Sequence, residues 1–159
     1  MEKLIHTLKP IFDINSKILI LGSFPSIKSR NQNMYFSHPQ NRFWKVLSKL
    51  FCENIPITNE EKIKFLLKHK IALYDVVYSC EIIGSSDASI KNVVPNNLSI
   101  FKQLNIKKVF TLGKTSSKLY KKYFDSNFIE LPSTSPANAK FSLEDLTKKF
   151  EIIKIYLKE

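Results

Sequence analysis

Between two aromatic residues the chain carries a run of polar groups, Phe36-Ser37-His38-Pro39-Gln40-Asn41-Arg42-Phe43-Trp44-Lys45-Val46-Leu47. The run offers an aromatic face, an imidazole, and two amide heads that both donate and accept hydrogen bonds. Just upstream, the apolar stretch 17–21 ends in the tight segment Gly22-Ser23-Phe24-Pro25-Ser26. Small residues there leave backbone donors within reach of a ligand. An aromatic plane beside backbone and amide donors suits a flat, hydrogen-bonding ligand such as a nucleobase.

Each of these residues also has a plain structural reading. Asn41 stands where a helix should begin, so it can be an N-cap as well as a chemical group. Asp75 lies inside the apolar stretch Leu73-Tyr-Asp-Val-Val77. A carboxylate buried there is costly unless it is paired or used. The competing reading is a strand-end ion pair with a lysine. His38 is the histidine in a candidate site loop, with a loop hydrogen bond as its alternative role, while His6 and His69 look peripheral. Asp87 follows Gly84-Ser-Ser and can cap a turn. Lys114 and Lys140 follow site loops and can contact phosphate or stay solvated. No metal cluster, P-loop or dinucleotide fingerprint is present, and no cofactor is expected.

The elements that must position these groups are legible as patterns. Four short apolar runs, 18–21, 71–77, 109–112 and 128–131, read as buried strands. Between them lie helical periodicities over 42–51, 97–104 and 115–124. A capping box at Thr58 and Glu61 opens a helix through 67, and another at Ser142 and Asp145 opens a last helix through 157. Alternating strands and helices predict a three-layer α/β/α sandwich around a short four-stranded parallel sheet. The polar loops at 22–41, 75–87, 113–115 and 132–140 should then converge at the strands' carboxyl ends, where such folds place their sites.

The length of 159 residues fits one domain, 1–159, with a real core. Apolar runs are strand-length, and neither a membrane span nor a signal peptide is evident. The expected location is therefore the cytoplasm, in association with the nucleoid, as a monomer. Cys52 and Cys80 form neither a disulfide framework nor a metal set, and both read as reduced, buried thiols. Net charge is +11 with 25 Lys and Arg against 14 Asp and Glu, which argues for a polyanionic partner. Only Arg30 and Arg42 are arginines, so this charge favours phosphate contact over base reading. A merely solvated lysine-rich surface is the alternative.

These residues resemble the uracil-DNA glycosylase superfamily over about 17–157. The string from Phe36 to Leu47 is similar to the mismatch-specific uracil-DNA glycosylase motif, whose phenylalanine stacks on a flipped base. Gly22-Ser-Phe-Pro-Ser26 resembles the superfamily's first motif. Leu131-Pro-Ser-Thr-Ser-Pro-Ala-Asn138 resembles the second, whose loop enters the minor groove. There are departures from the pattern. Phe24 replaces the usual water-handling polar residue, and Asp75 stands where uracil-specific branches carry Asn. With Ala72-Leu-Tyr-Asp75, Ser79-Cys-Glu81 and Gly84-Ser-Ser-Asp87, these departures are similar to the hypoxanthine-DNA glycosylase branch, although Ser26 stands where that branch more often has Gly.

The resemblance implies a monofunctional DNA glycosylase of base excision repair, acting without metal or cofactor on double- or single-stranded DNA that contains a deaminated base. It places Asn41 and Asp75 as catalytic. Phe24, Phe36 and His38 become base-binding. Gly22, Ser23, Pro25, Ser26, Lys114, Ser133, Thr134, Ser135, Pro136 and Lys140 hold sugar, phosphate and DNA. A uracil or mismatch glycosylase, a catalytically inactive lesion-binding module and a small-nucleotide binder remain open as alternatives.

Overall fold

The computed structural model describes residues 2–158. Along the chain run β1 (Glu2–Ile5), β2 (Ile18–Gly22), α1 (Ile27–Gln32), α2 (Phe43–Phe51), α3 (Asn59–Lys68), β3 (Ile71–Asp75), β4 (Val77–Ile82), β5 (Lys91–Pro95), β6 (Lys108–Leu112), α4 (Gly113–Tyr123), β7 (Ile129–Leu131), α5 (Leu143–Phe150) and α6 (Ile153–Leu157).

Strands β3-β2-β6-β7 form a four-stranded sheet in that order, with all neighbours parallel. Ile20 sits in register with Leu73 on one side and Phe110 on the other. The continuous apolar runs are explained by burial on both faces. Ile18, Ile20, Ile71, Leu73 and Phe110 pack under Phe43, Val46, Leu47 and Leu50 of α2, Phe65 and Leu66 of α3, and Leu146, Phe150 and Ile153 of α5 and α6. Leu19, Leu21 and Ala72 face the other way, onto Tyr120 of α4 and Phe101. The three-layer α/β sandwich is therefore present, with helices on both faces of the parallel sheet.

The expected strand 71–77 is in fact two strands. β3 stops at Asp75, Val76 makes the turn, and Val77 starts β4. The Val76 and Val77 amides donate to the carbonyls of Gly22 (2.9 Å) and Ser23 (3.0 Å). Asn96 braces the same turn by donating through Nδ2 to the carbonyls of Asp75 (2.9 Å) and Val77 (3.1 Å). β4 pairs antiparallel with β1 and β5 in a second, three-stranded sheet absent from the sequence reading. Much of 79–87 is thus strand rather than loop, and only the turn beyond Ile82 reaches the site.

Smaller differences have local causes. α1 forms inside the expected loop because Ser26 caps it, accepting from Ser29 N (3.1 Å). The pattern at 97–104 folds as a 3-10 turn, Ser99–Gln103. The last helix breaks between Phe150 and Ile153. Cys80 is buried as expected, but Cys52 is exposed, because it occupies the left-handed C-cap of α2 at φ 55°. Both capping boxes form. Among the described residues no helix is long and apolar enough to cross a membrane.

Candidate active site

Because the four sheet strands are parallel, Gly22, Asp75, Leu112 and Leu131 end on one edge. A cleft of about 970 Å³ opens there. It is lined by the segments 22–26, 35–41, 85–88, 112–115 and 132–138, with Asp75, Lys140 and Lys149. Every residue singled out from the sequence as a candidate site residue lies on this wall.

The floor is built where β2 and β3 end side by side, with Gly22 in register with Asp75. Asp75 is 3% exposed. A Cβ on Gly22 would lie 2.5 Å from Asp75 Oδ1 and 3.8 Å from the tip of the Phe36 ring. Only glycine therefore leaves room for the carboxylate, while the tip of the Phe36 ring lies at ordinary contact distance from the same point. The other oxygen, Oδ2, is 2.9 Å from His6 Nε2. The partner of Asp75 is thus a histidine and not the lysine of the competing reading, and His6, which looks peripheral in the sequence, is bonded to a site residue. β1 delivers it: the His6 amide donates to the Tyr78 carbonyl at 2.6 Å. Burial, then the charge of Asp75, pushes the Tyr35 phenol well above its usual value. Tyr35 therefore stays protonated and donates to the Lys9 carbonyl (2.8 Å).

Phe36 is held in the left-handed region at φ 55°, which costs a non-glycine residue about 1–2 kcal/mol. Neighbouring bonds enforce it. The Ser37 amide donates to Ser29 Oγ (3.1 Å), Ser37 Oγ to the Met34 carbonyl (2.6 Å), and Trp44 Nε1 to the Tyr35 carbonyl (3.1 Å). Strain held in place this way gathers at functional sites. Phe43 stacks on Phe36 with centroids 4.2 Å apart, and Phe36 is among the residues that line the cleft.

Asn41 uses its acceptor on the protein. Oδ1 takes hydrogen bonds from the Phe43 amide (2.9 Å) and from Thr134 Oγ1 (2.9 Å). The N-cap of α2 is Arg42 and not Asn41; Asn41, one residue earlier, takes the free N–H of Phe43 and ties the helix start to the second motif. Its Nδ2 donors have no partner among the described residues. Arg42 completes the tie. Its guanidinium donates to the carbonyls of Phe141, Ser135 (2.9 Å) and Asn138 (3.1 Å). Arg30 does the same for the first motif, donating to the carbonyls of Pro25 (3.3 Å), Ser26 (3.3 Å) and Gly84 (3.2 Å) while lying over the Phe24 ring.

Phe24 is buried against Val77, Cys80 and Ile82, so only part of it reaches the cleft. Ser23 Oγ donates to Asp87 Oδ1 at 2.7 Å. Asp87 is open to solvent as a residue, but its carboxylate end is enclosed. That desolvation raises its pKa above the ordinary value; the Ser23 hydroxyl opposes the shift and Asp75 adds to it. His38 Nδ1 accepts from the Gln40 amide (3.1 Å), the loop role weighed against ligand binding. Ser133 Oγ accepts from the Ser135 amide (3.2 Å), and Thr134 is buried on Asn41. Lys114 and Lys140 stand exposed at the rim, joined by Lys149.

His6, Arg42, Arg30, Asn96 and Lys149 are the residues that sequence reasoning missed here. One signal for His6 was available. A carboxylate inside an apolar strand needs a partner, and the apolar run Leu4-Ile5 before His6 marked a strand able to bring one.

Comparison with known proteins adds independent findings. The family model of the uracil DNA glycosylase superfamily matches residues 10–158. A hypoxanthine DNA glycosylase of Methanosarcina barkeri is 36% identical over 112 residues, covering 69% of this chain and 71% of that protein. One of Methanosarcina acetivorans is 32% identical over 138 residues, covering 83% and 87%. A solution NMR structure of a candidate uracil DNA glycosylase from Methanosarcina acetivorans superposes with a TM-score of 0.77 at 27% identity, covering 94% and 98%.

Proposed function

The chain belongs to the uracil-DNA glycosylase superfamily, and from that premise we infer that it is a DNA glycosylase whose site is built to release hypoxanthine from deoxyinosine. Such an enzyme turns the damaged nucleotide out of the duplex and reads the base in a pocket. The observation that carries the reading is that Asp75 Oδ1 and the tip of the Phe36 ring both lie close to Gly22 on the wall of the cleft. A base stacked on Phe36 places its edge at that oxygen. Hypoxanthine presents N1–H there, a donor for an acceptor-only carboxylate. Adenine presents a bare N1, which the same oxygen repels. The two Methanosarcina relatives named for hypoxanthine support the same assignment.

The chemistry follows from the groups present. The bond between C1′ and N9 breaks toward the base, which takes the electron pair. Water adds its oxygen to C1′, and its proton ends on the departing hypoxanthine, leaving an abasic site. Asn41, with Oδ1 committed to the protein, offers Nδ2 to the departing base or the water. Preorganised donors of this kind act where charge develops. Ser26, Ser133, Ser135 and Pro136 contact sugar and backbone, and Lys114 and Lys140 contact phosphates without sequence preference.

The test is release of free base from a duplex with a single deoxyinosine. Wild type should liberate hypoxanthine. Phe36→Ala should slow the release roughly 5- to 150-fold, the equivalent of about 1–3 kcal/mol of base stacking. Equal rates for the two folded proteins would remove Phe36 from the base pocket.

A further inference from the structure

We propose that His6 is the positioning residue that holds the Asp75 carboxylate and aims it at the base. The inference rests on the reading of Asp75 given above. Three observations lead to it. The His6 side chain is 1% exposed and its Nε2 lies 2.9 Å from Asp75 Oδ2. The ring is caged by Tyr74 (centroids 5.2 Å apart, edge-on), Phe24 (6.1 Å, edge-on) and Tyr35 (6.2 Å), so its direction is fixed. Asp75 Oδ1, in contrast, has no donor among the described residues and lies at Gly22 beside Phe36.

The two carboxylate oxygens therefore have different tasks. Oδ2 takes the His6 Nε2–H, which anchors the carboxylate in one orientation. Oδ1 is left as a lone-pair donor site at the pocket floor, unable to turn away. A buried polar atom without a partner is costly, and the cost is relieved by a ligand that brings its own N–H. Deamination supplies that group: it turns the bare ring nitrogen of adenine or cytosine into the N–H of hypoxanthine or uracil. His6 thus fixes the sign of the hydrogen bond by which the site tells a deaminated base from its parent. Without it, Asp75 can swing away, and the reading weakens.

The experiment compares His6→Phe, which keeps ring volume and removes the donor, with His6→Gln, whose Nε2 restores a donor at similar reach. Single-turnover hypoxanthine release at saturating enzyme should fall roughly 10- to 100-fold in His6→Phe, as for loss of a hydrogen bond to a charged group. Affinity for abasic-site DNA, which has no base to read, should be unchanged. His6→Gln should stay within about threefold of wild type. Equal loss in both variants, or a parallel loss of abasic-DNA affinity, would make His6 merely structural; a wild-type rate in folded His6→Phe would overturn the proposal outright. Nitrogen-15 spectra of the histidine rings provide a reading that needs no activity and no foldable phenylalanine variant. The His6 Nε2–H should be protected from exchange in wild type and lose that protection in Asp75→Ala. An unprotonated or freely exchanging Nε2 in wild type refutes the positioning role. Should wild type release no hypoxanthine while Nε2–H is protected, the substrate assignment fails and the His6–Asp75 pairing stands.

Discussion

A single methyl group on Gly22 would come within 2.5 Å of Asp75 Oδ1, closer than a Cβ carbon approaches a neighbouring atom in a folded protein. The close approach of two strand ends is thus a condition for the carboxylate to reach the cleft. Gly22→Ala should push Asp75 away at a cost of about 1–3 kcal/mol of stability, as for other overpacked sites. It should also lower hypoxanthine release at least ~10²-fold, as loss of a positioned polar group does. Thermal melts and single-turnover rates on one preparation check both. A folded Gly22→Ala with the wild-type rate would show that Oδ1 does not read the base.

Asn41 allows its structural bonds and its chemistry to be separated. Asn41→Asp keeps the acceptor for the Phe43 amide and the Thr134 hydroxyl and removes only the Nδ2 donors. The melting temperature should hold or rise, because a carboxylate at a helix N-terminus is favourable. The single-turnover rate should fall at least ~10²-fold. If the rate holds as well, Asn41 is a tie between the helix start and the loop, and nothing more.

The parallel sheet was legible because both its faces are buried, which writes each strand as an unbroken apolar run. β1, β4 and β5 were not legible, for two reasons. A single residue, Val76, separates β3 from β4 inside the same apolar stretch, so no composition change marks the boundary. β5 carries Lys91, Asn92 and Pro95, residues that read as loop. Missing that sheet meant missing His6, since its pairing with Asp75 spans 69 residues of sequence. The motif loops of the cleft were legible from their unusual residue strings. The sequence counted the two arginines only within the net charge, yet both guanidinium groups donate to backbone carbonyls of the cleft loops. We propose that phosphate contact is thereby left to lysines.

That division can be measured. Affinity for a duplex should fall steeply as salt rises, because lysines displace condensed counterions. Lys114→Ala, Lys140→Ala and Lys149→Ala should each flatten the log–log slope by about 1. Slopes unaltered in all three would move the DNA path away from this rim.

Asp87 gives a pH prediction with a definite sign. Its pKa is raised in the folded protein by desolvation, so the folded state holds the proton more tightly than the unfolded chain. Ionising Asp87 therefore costs stability as pH rises from the ordinary Asp range through the raised value. Asp87→Asn removes that cost and keeps an acceptor for Ser23. Its melting temperature should exceed wild type at pH 7. The gap should close below the ordinary Asp pKa. A gap of constant size across pH would contradict the assignment.

The central claim is that this cleft releases a deaminated base by reading its ring N–H. It is tested most directly by one panel: duplexes carrying deoxyinosine, deoxyuridine, deoxyxanthosine or undamaged deoxyadenosine, under single-turnover conditions, with the freed base identified by mass. The account predicts hypoxanthine as the fastest-released base and no adenine, with strand breakage only after alkali, as for a monofunctional glycosylase. Release of uracil ahead of hypoxanthine, release of adenine, or no free base from any duplex would contradict it.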